Sequence, residues 1–266
     1  MAEHSIPVVF VHGLWLHAAS WDPWLEHFSA NGYAASAPGW PGDGETVDAT
    51  RSNPTSVAGY GIEDVVKHYT EAISSLDTKP IVIGHSFGGL IAQKLLARGI
   101  AAAAVAIDPA PIKGVLALPF STLKAGFPVL GNPANRNKAI ALTADQFRYA
   151  FGNAIPEARS QALYDRWSIP SPGRPLFQAA ASNFTPHSEA AVDTRRSDRG
   201  PLLVTAGGLD HTVPESVSRG AFKLYRKSNA VTDFHNFATR GHSLTIDDGW
   251  PEVADSVLEW LTKQAL

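Results

Sequence analysis

The chain has no cysteine among its 266 residues, so neither a disulfide framework nor thiolate chemistry is open to it. It also lacks a basic run. The 22 Lys and Arg are outnumbered by 25 Asp and Glu, and the formal charge of -3 argues against nucleic acid or an anionic membrane surface as a partner. Where arginines gather, at Arg195, Arg196 and Arg199, they are interspersed with Asp193 and Asp198, as in a solvated loop. No internal repeat or low-complexity stretch interrupts the sequence. Met1-Ala2-Glu3-His4 offers no basic region followed by an apolar core, so export is not expected and a cytoplasmic location is. What is present is the balance of a globular protein, 44% hydrophobic and 18% charged, in a length that can bury one large core.

Strand-like apolar runs alternate with helical patterns, which points to parallel βαβ units. One helix is expected from about Trp21 to Ala30, capped by Ser20 and stopped near Gly32. Another is expected over Val57 to Leu76, where Ile62, Val65, Val66, Tyr69 and Ile73 share a face. Between residues 112 and 198 the alternation breaks. Helical pieces appear there, with Thr143 and Gln146 spaced as a capping box and Pro156 suited to the first turn of a helix reaching Trp167. The segment is rich in aromatics, among them Phe120, Phe127, Phe147, Phe151 and Phe184, and it reads as a helical cap whose rings either line an apolar pocket or pack against the sheet. The expected division is therefore a core of residues 1–111 and 199–266 and a cap of 112–198.

Gly84-His85-Ser86-Phe87-Gly88-Gly89 follows the apolar run Pro80 to Ile83 and precedes a helical pattern that ends at Gly99. The arrangement G-x-S-x-G presents a serine on a sharp strand-to-helix turn, tolerable only if its neighbours two positions away lack bulk. Ser86 would then lie beside a helix N-terminus, whose free N–H groups favour developing negative charge. A serine hydroxyl needs a base, and the base needs an orienting acid. Asp210 follows the strand-like run Pro201 to Thr205, and His242 follows Phe234 to Ala238. Asp108 also ends a strand-like run and is a rival acid, whereas His211, His12 and His235 suit structural roles better. Charge on a tetrahedral oxyanion calls for two fixed N–H donors. One is that of Phe87; the other is expected from Leu14, after the strand Val8 to Val11 and the turn His12-Gly13, with Trp15 as a pocket wall. His85 and Trp167 are further candidates for the pocket.

These segments carry a resemblance. HGLW at 12 to 15, GHSFGG at 84 to 89, GGLDHTVP at 207 to 214 and RGHSL at 240 to 244 together resemble the α/β-hydrolase superfamily. The resemblance implies a mostly parallel, doubly wound sheet with a helical cap inserted after the sixth strand, and the order Ser86, Asp210, His242 for nucleophile, acid and base. It implies a serine esterase without metal or cofactor, acting on small to medium, largely apolar esters. The N-terminal stretch is similar to small esterases, to cofactor-free perhydrolases and to the plant methylesterase and hydroxynitrile lyase group, so peracid formation or cyanohydrin cleavage by the same three residues is an alternative. A ligand-binding protein on a hydrolase scaffold is a third. Two departures stand out: the chain enters its first parallel strand by about Pro7, without an opening hairpin, and residues 37–42 lack the D-x-x-G-x-G run common among perhydrolases.

Overall fold

The computed structural model describes residues 6–266. Met1 to Ser5, where the absence of an export signal is read, lie outside the described residues. The core runs β1 (Pro7–Val11), α1 (Asp22–Ala30), β2 (Ala34–Ser36), α2 (Val47–Ser52), α3 (Ile62–Ser74), β3 (Ile81–His85), α4 (Phe87–Ala97) and β4 (Ala103–Ile107). Next come α5 (Phe120–Leu130), β5 (Ala139–Ile140), α6 (Ala144–Ala150), α7 (Glu157–Trp167), β6 (Ser171–Pro172) and α8 (Arg174–Ala180). The chain returns to the core with β7 (Leu202–Gly207), α9 (Glu215–Leu224), β8 (Thr232–Phe237) and α10 (Trp250–Lys263).

Six strands form one sheet in the order β2-β1-β3-β4-β7-β8, with every pair parallel. Because side chains alternate across a strand, the central strands feed two cores. Val8, Phe10, Ile81, Ile83, Val105 and Ile107 pack on one face with Trp24 and Phe28 of α1 and Val253, Val257 and Leu261 of α10. Val9, Val11, Val82, Ala104 and Val204 pack on the other with α3, α4 and α9. The five residues assigned to one face of α3 are all buried.

Local sequence explains where the elements stop, and corrects two expectations. α3 begins at Ile62, not at Val57: Val57 closes a short 3-10 turn, and Gly59 at φ +81° breaks the path before Gly61 opens the helix. Ser20 does not cap α1. It lies within a 3-10 turn capped by His17, whose Nδ1 accepts the Ala19 N–H at 3.1 Å, and α1 starts from Trp21 without a side-chain cap. Gly32, at φ +90°, turns the chain away after α1 as expected.

Between β4 and β7 lie α5 to α8 and the two-residue antiparallel ribbon of β5 and β6. The insertion leaves the sheet after the fourth strand of this chain. "Sixth" holds only in a count that includes an opening hairpin, and the first strand among the described residues is the parallel one at Pro7. The Thr143–Gln146 capping box forms both its hydrogen bonds, and α7 starts from Pro156 and ends at Trp167. Phe147 and Phe151 are buried and stacked 4.7 Å apart. Phe120, Phe127 and Phe184 neither line a pocket nor pack on the sheet; they are 79%, 69% and 89% exposed. No helix of the described residues is long and apolar enough to cross a membrane.

α4 and β1 meet at backbone distance. A Cβ on Gly88 would stand 2.0 Å from the carbonyl oxygen of Val11, a backbone atom that cannot swing aside. Gly88→Ala should therefore cost at least about 3 kcal/mol in thermal unfolding, as overpacking against backbone does; an unchanged melting temperature would contradict this packing.

Candidate active site

Ser86 takes φ 55° and ψ -119°, a strained conformation for a residue with a side chain, at the join of β3 and α4. The surroundings enforce it. A Cβ on Gly84 would lie 2.0 Å from the Gly88 carbonyl, so the two glycines let the chain double back. The Ser86 N–H donates to Ile107 O at 2.9 Å, and its carbonyl accepts from Gly89, Leu90 and Ala110. The hydroxyl is thus carried on a fixed backbone at the head of α4, next to that helix's first free N–H groups.

Asp210 sits three residues past β7. Its Oδ1 accepts the N–H groups of Thr212 and Val213 at 2.6 and 2.8 Å, and its Oδ2 lies 2.5 Å from His242 Nδ1. Both side chains are fully buried. Because the partner is an acceptor, Nδ1 carries the proton and Nε2 is the free nitrogen. Burial pushes the Asp210 carboxyl up, but the imidazole of His242 and the hydrogen bonds it receives outweigh that and hold it below the usual range. The loop bearing His242 is held by the Arg240–Asp247 ion pair and by Ser243 Oγ donating to Asp247 at 2.6 Å. It is tied to the Asp210 loop through Leu209 N–H donating to Arg240 O at 2.9 Å.

His85 and Phe151 pack against His242, with ring centroids 4.5 and 4.9 Å from that of His242. His85 is buried, and neither of its ring nitrogens, nor His242 Nε2, has a hydrogen-bond partner among the described residues. Burial, then the neighbouring His242, pushes the His85 imidazole well below its ordinary pKa, so it is neutral. The structure thus joins Asp210 to His242 directly, and reaches Ser86 through its neighbour His85; no Ser86–His242 hydrogen bond is formed. Asp108, the rival acid, is in the same cluster, buried at the end of β4. Asp108, Asp210 and His242 each offer one ligand atom within 4.8 Å of the others, and Asp210 and His242 are hydrogen-bonded to each other.

The turn His12-Gly13 presses against the serine, since a Cβ on Gly13 would lie 2.8 Å from Ser86 Cβ. His12 is anchored by Asp43 Oδ2 at 2.9 Å, and Trp40 Nε1 donates to His12 O at 3.0 Å. Leu14 follows Gly13 directly in the chain, and Phe87 follows Ser86 and opens α4. Trp15, at φ 65°, is locked to the cap: its N–H donates to Ser171 Oγ at 2.6 Å, its indole N–H to Ile140 O at 3.0 Å, and its carbonyl accepts from Ile169 at 3.1 Å. Leu16 bridges to Ser168 and His17 N–H donates to Trp167 O at 3.1 Å.

The remaining candidates divide. His211 turns to Tyr149 O at 3.2 Å, and His235 packs on Phe237. The Trp167 ring carries the Arg166 guanidinium at 4.3 Å and borders a surface cleft with Leu163 and Trp250. Sequence reasoning placed Phe151 only among the aromatics of the inserted segment, without assigning it to the site, and did not single out Asp43 or Ser171. Phe151 had a signal, four residues from Phe147 on one helix face; a loop carboxylate and a cap serine have none.

A sequence profile described as the Alpha/beta hydrolase family matches residues 8–256. The chain belongs to the alpha/beta hydrolase family. Among solved structures, it is similar to a monoacylglycerol lipase of Paleococcus ferrophilus, at 22% identity and a TM-score of 0.69, over 97% of this chain and 94% of that one. A methylesterase from Arabidopsis matches at 15% identity and TM-score 0.68, over 97% and 99%. An extracellular α/β-hydrolase from a Paenibacillus species matches at 20% and 0.67, over 96% and 98%. These likenesses concern the fold. No curated protein sequence matches the chain.

In this alpha/beta hydrolase the Trp15 N–H depends on the cap for its acceptor. Ser171→Ala should leave that buried N–H unsatisfied and cost about 1–3 kcal/mol in thermal or urea unfolding. Stability equal to the parent protein would show that the Trp15–Ser171 bond holds nothing in place.

Proposed function

We propose that the protein is a serine hydrolase that cleaves carboxylic esters of small to medium apolar compounds through an acyl-enzyme at Ser86. The observation that carries this is the buried 2.5 Å Asp210–His242 pair, whose Nε2 is unpaired among the described residues and whose ring lies 4.5 Å from that of His85, the residue before a serine held on a strained turn at a helix N-terminus. In this reading Ser86 attacks the ester carbonyl while His242 Nε2 takes its proton, and Asp210 fixes the ring and balances the imidazolium. The N–H groups of Leu14 and Phe87 receive the oxyanion, whose stabilisation is the largest electrostatic contribution. His242 then returns the proton to the leaving alcohol, and water repeats the sequence on the acyl group. The chemistry runs on side chains and backbone donors alone.

Substrate class follows from the walls. Phe151 packs on His242, Phe147 and Trp15 pack on Phe151, and Phe87 follows Ser86; all four are buried, and they favour apolar acyl or alcohol groups. The cap over them would keep bulk water away from the developing charge.

Ser86→Ala should lower p-nitrophenyl acetate turnover on the order of 10⁴-fold or more and abolish labelling by a fluorophosphonate, while the melting temperature changes little. Turnover by the alanine variant at the parent rate would overturn the assignment.

A further inference from the structure

Two carboxyl groups, not one, stand behind His242. Asp108 follows β4 at φ 44° and is wholly buried. Its Oδ2 accepts the Gly207 N–H at 3.1 Å, and a Cβ on Gly207 would come within 2.9 Å of that oxygen, so the end of β7 has been kept clear for it. Its Oδ1 is buried without a hydrogen-bond acceptor or donor paired to it by geometry. The groups facing it are Asp210 and His242, with Thr205 below and the Arg240 carbonyl beside Gly207. No cationic side chain is paired with it among the described residues.

We propose that Asp108 is a neutral carboxylic acid that donates its O–H to Asp210, so that the two carboxyls together carry one negative charge against His242. The proposal rests on the reading of Ser86, Asp210 and His242 as the reacting set, and Asp108 acts within it as a positioning residue. Two carboxylates so close and so buried cannot both ionise, which leaves one proton shared by the pair. Asp210 keeps the charge because it accepts from three N–H groups, those of Thr212, Val213 and His242, whereas Asp108 accepts one. Burial, and then the charge on Asp210, pushes the Asp108 carboxyl well above the usual carboxylate range, in agreement with this division. No proton leaves the pair during the reaction. His242 gains and returns the proton of Ser86, and the dyad faces the imidazolium with a single charge throughout.

Asparagine preserves the arrangement, since its carbonyl can accept from Gly207 and its N–H can donate to Asp210. Asp108→Ala should lower kcat for p-nitrophenyl acetate by about 10- to 100-fold with KM nearly unchanged, the loss of a hydrogen bond to a charged group, and Asp108→Asn should recover most of that loss. Infrared spectroscopy of the intact protein at neutral pH should show a buried carboxylic-acid C=O band, shifted in D₂O, that persists in Ser86→Ala and disappears in Asp108→Asn. That band depends on the pair alone, so it stands or falls independently of whether Ser86 is the nucleophile. A band that survives Asp108→Asn, an Asp108→Ala variant with parental kcat, or an Asp108→Asn variant as impaired as alanine would each overturn the proposal.

Discussion

The first turn of α4 rests against the end of β1 with no space for a side chain between them, and the site takes its position from that contact. Gly88 meets the Val11 carbonyl, Gly84 meets the Gly88 carbonyl, and Gly13 meets Ser86 itself. Three chain segments are thereby held at backbone distance, which fixes Ser86 in a conformation it would not choose. Parallel pairing supplies the rest. In a parallel sheet all strands end at the same edge, so Asp108 after β4, Asp210 after β7 and His242 after β8 emerge beside Ser86 although 156 residues of sequence separate the first and last functional side chains of the group.

The cap and the loop after β1 are mechanically one unit. Residues 15–17 pair with 167–171 through the Trp15, Leu16 and His17 backbone, and the Trp15 indole is bonded to the ribbon residue Ile140. Trp15 holds a positive φ that an isolated turn would relieve. Displacing the cap removes the acceptors that maintain this conformation, so the position of Leu14, one residue earlier, is coupled to whether the cap is seated. Placement of a candidate oxyanion donor and seating of the insertion thus depend on the same set of hydrogen bonds.

Much of this was legible in the sequence because it is local. The turn at Ser86 needs small residues at fixed offsets, and α3 declares its buried face through Ile62, Val65, Val66, Tyr69 and Ile73. The Thr143 capping box is likewise written within four residues. What could not be read depends on long-range approach. Asp43 is an ordinary loop carboxylate until the fold carries it to His12, and Ser171 has no signature that marks it as the acceptor for Trp15. Trp167 illustrates the converse: an aromatic in a cap is visible in sequence, but the side to which its ring turns is set by packing. Ser20 failed as a cap because His17 is placed one turn earlier to serve the preceding 3-10 turn.

Electrostatics explains why so many ionisable groups tolerate one buried cluster. Asp108, Asp210, His85 and His242 are all buried, and isolated charges there would carry a large desolvation penalty. His85 avoids it by staying neutral between His242 and Phe151, and Asp108 by remaining protonated against Asp210. One negative charge is left, and it is held by three N–H donors. A second carboxylate would overstabilise the imidazolium and discourage return of its proton to a leaving group; a charged His85 would repel it and discourage the first transfer. Keeping both flanking groups neutral leaves a single pair to change its charge state, which is the condition for one imidazole to serve as base in one half of a reaction and acid in the other.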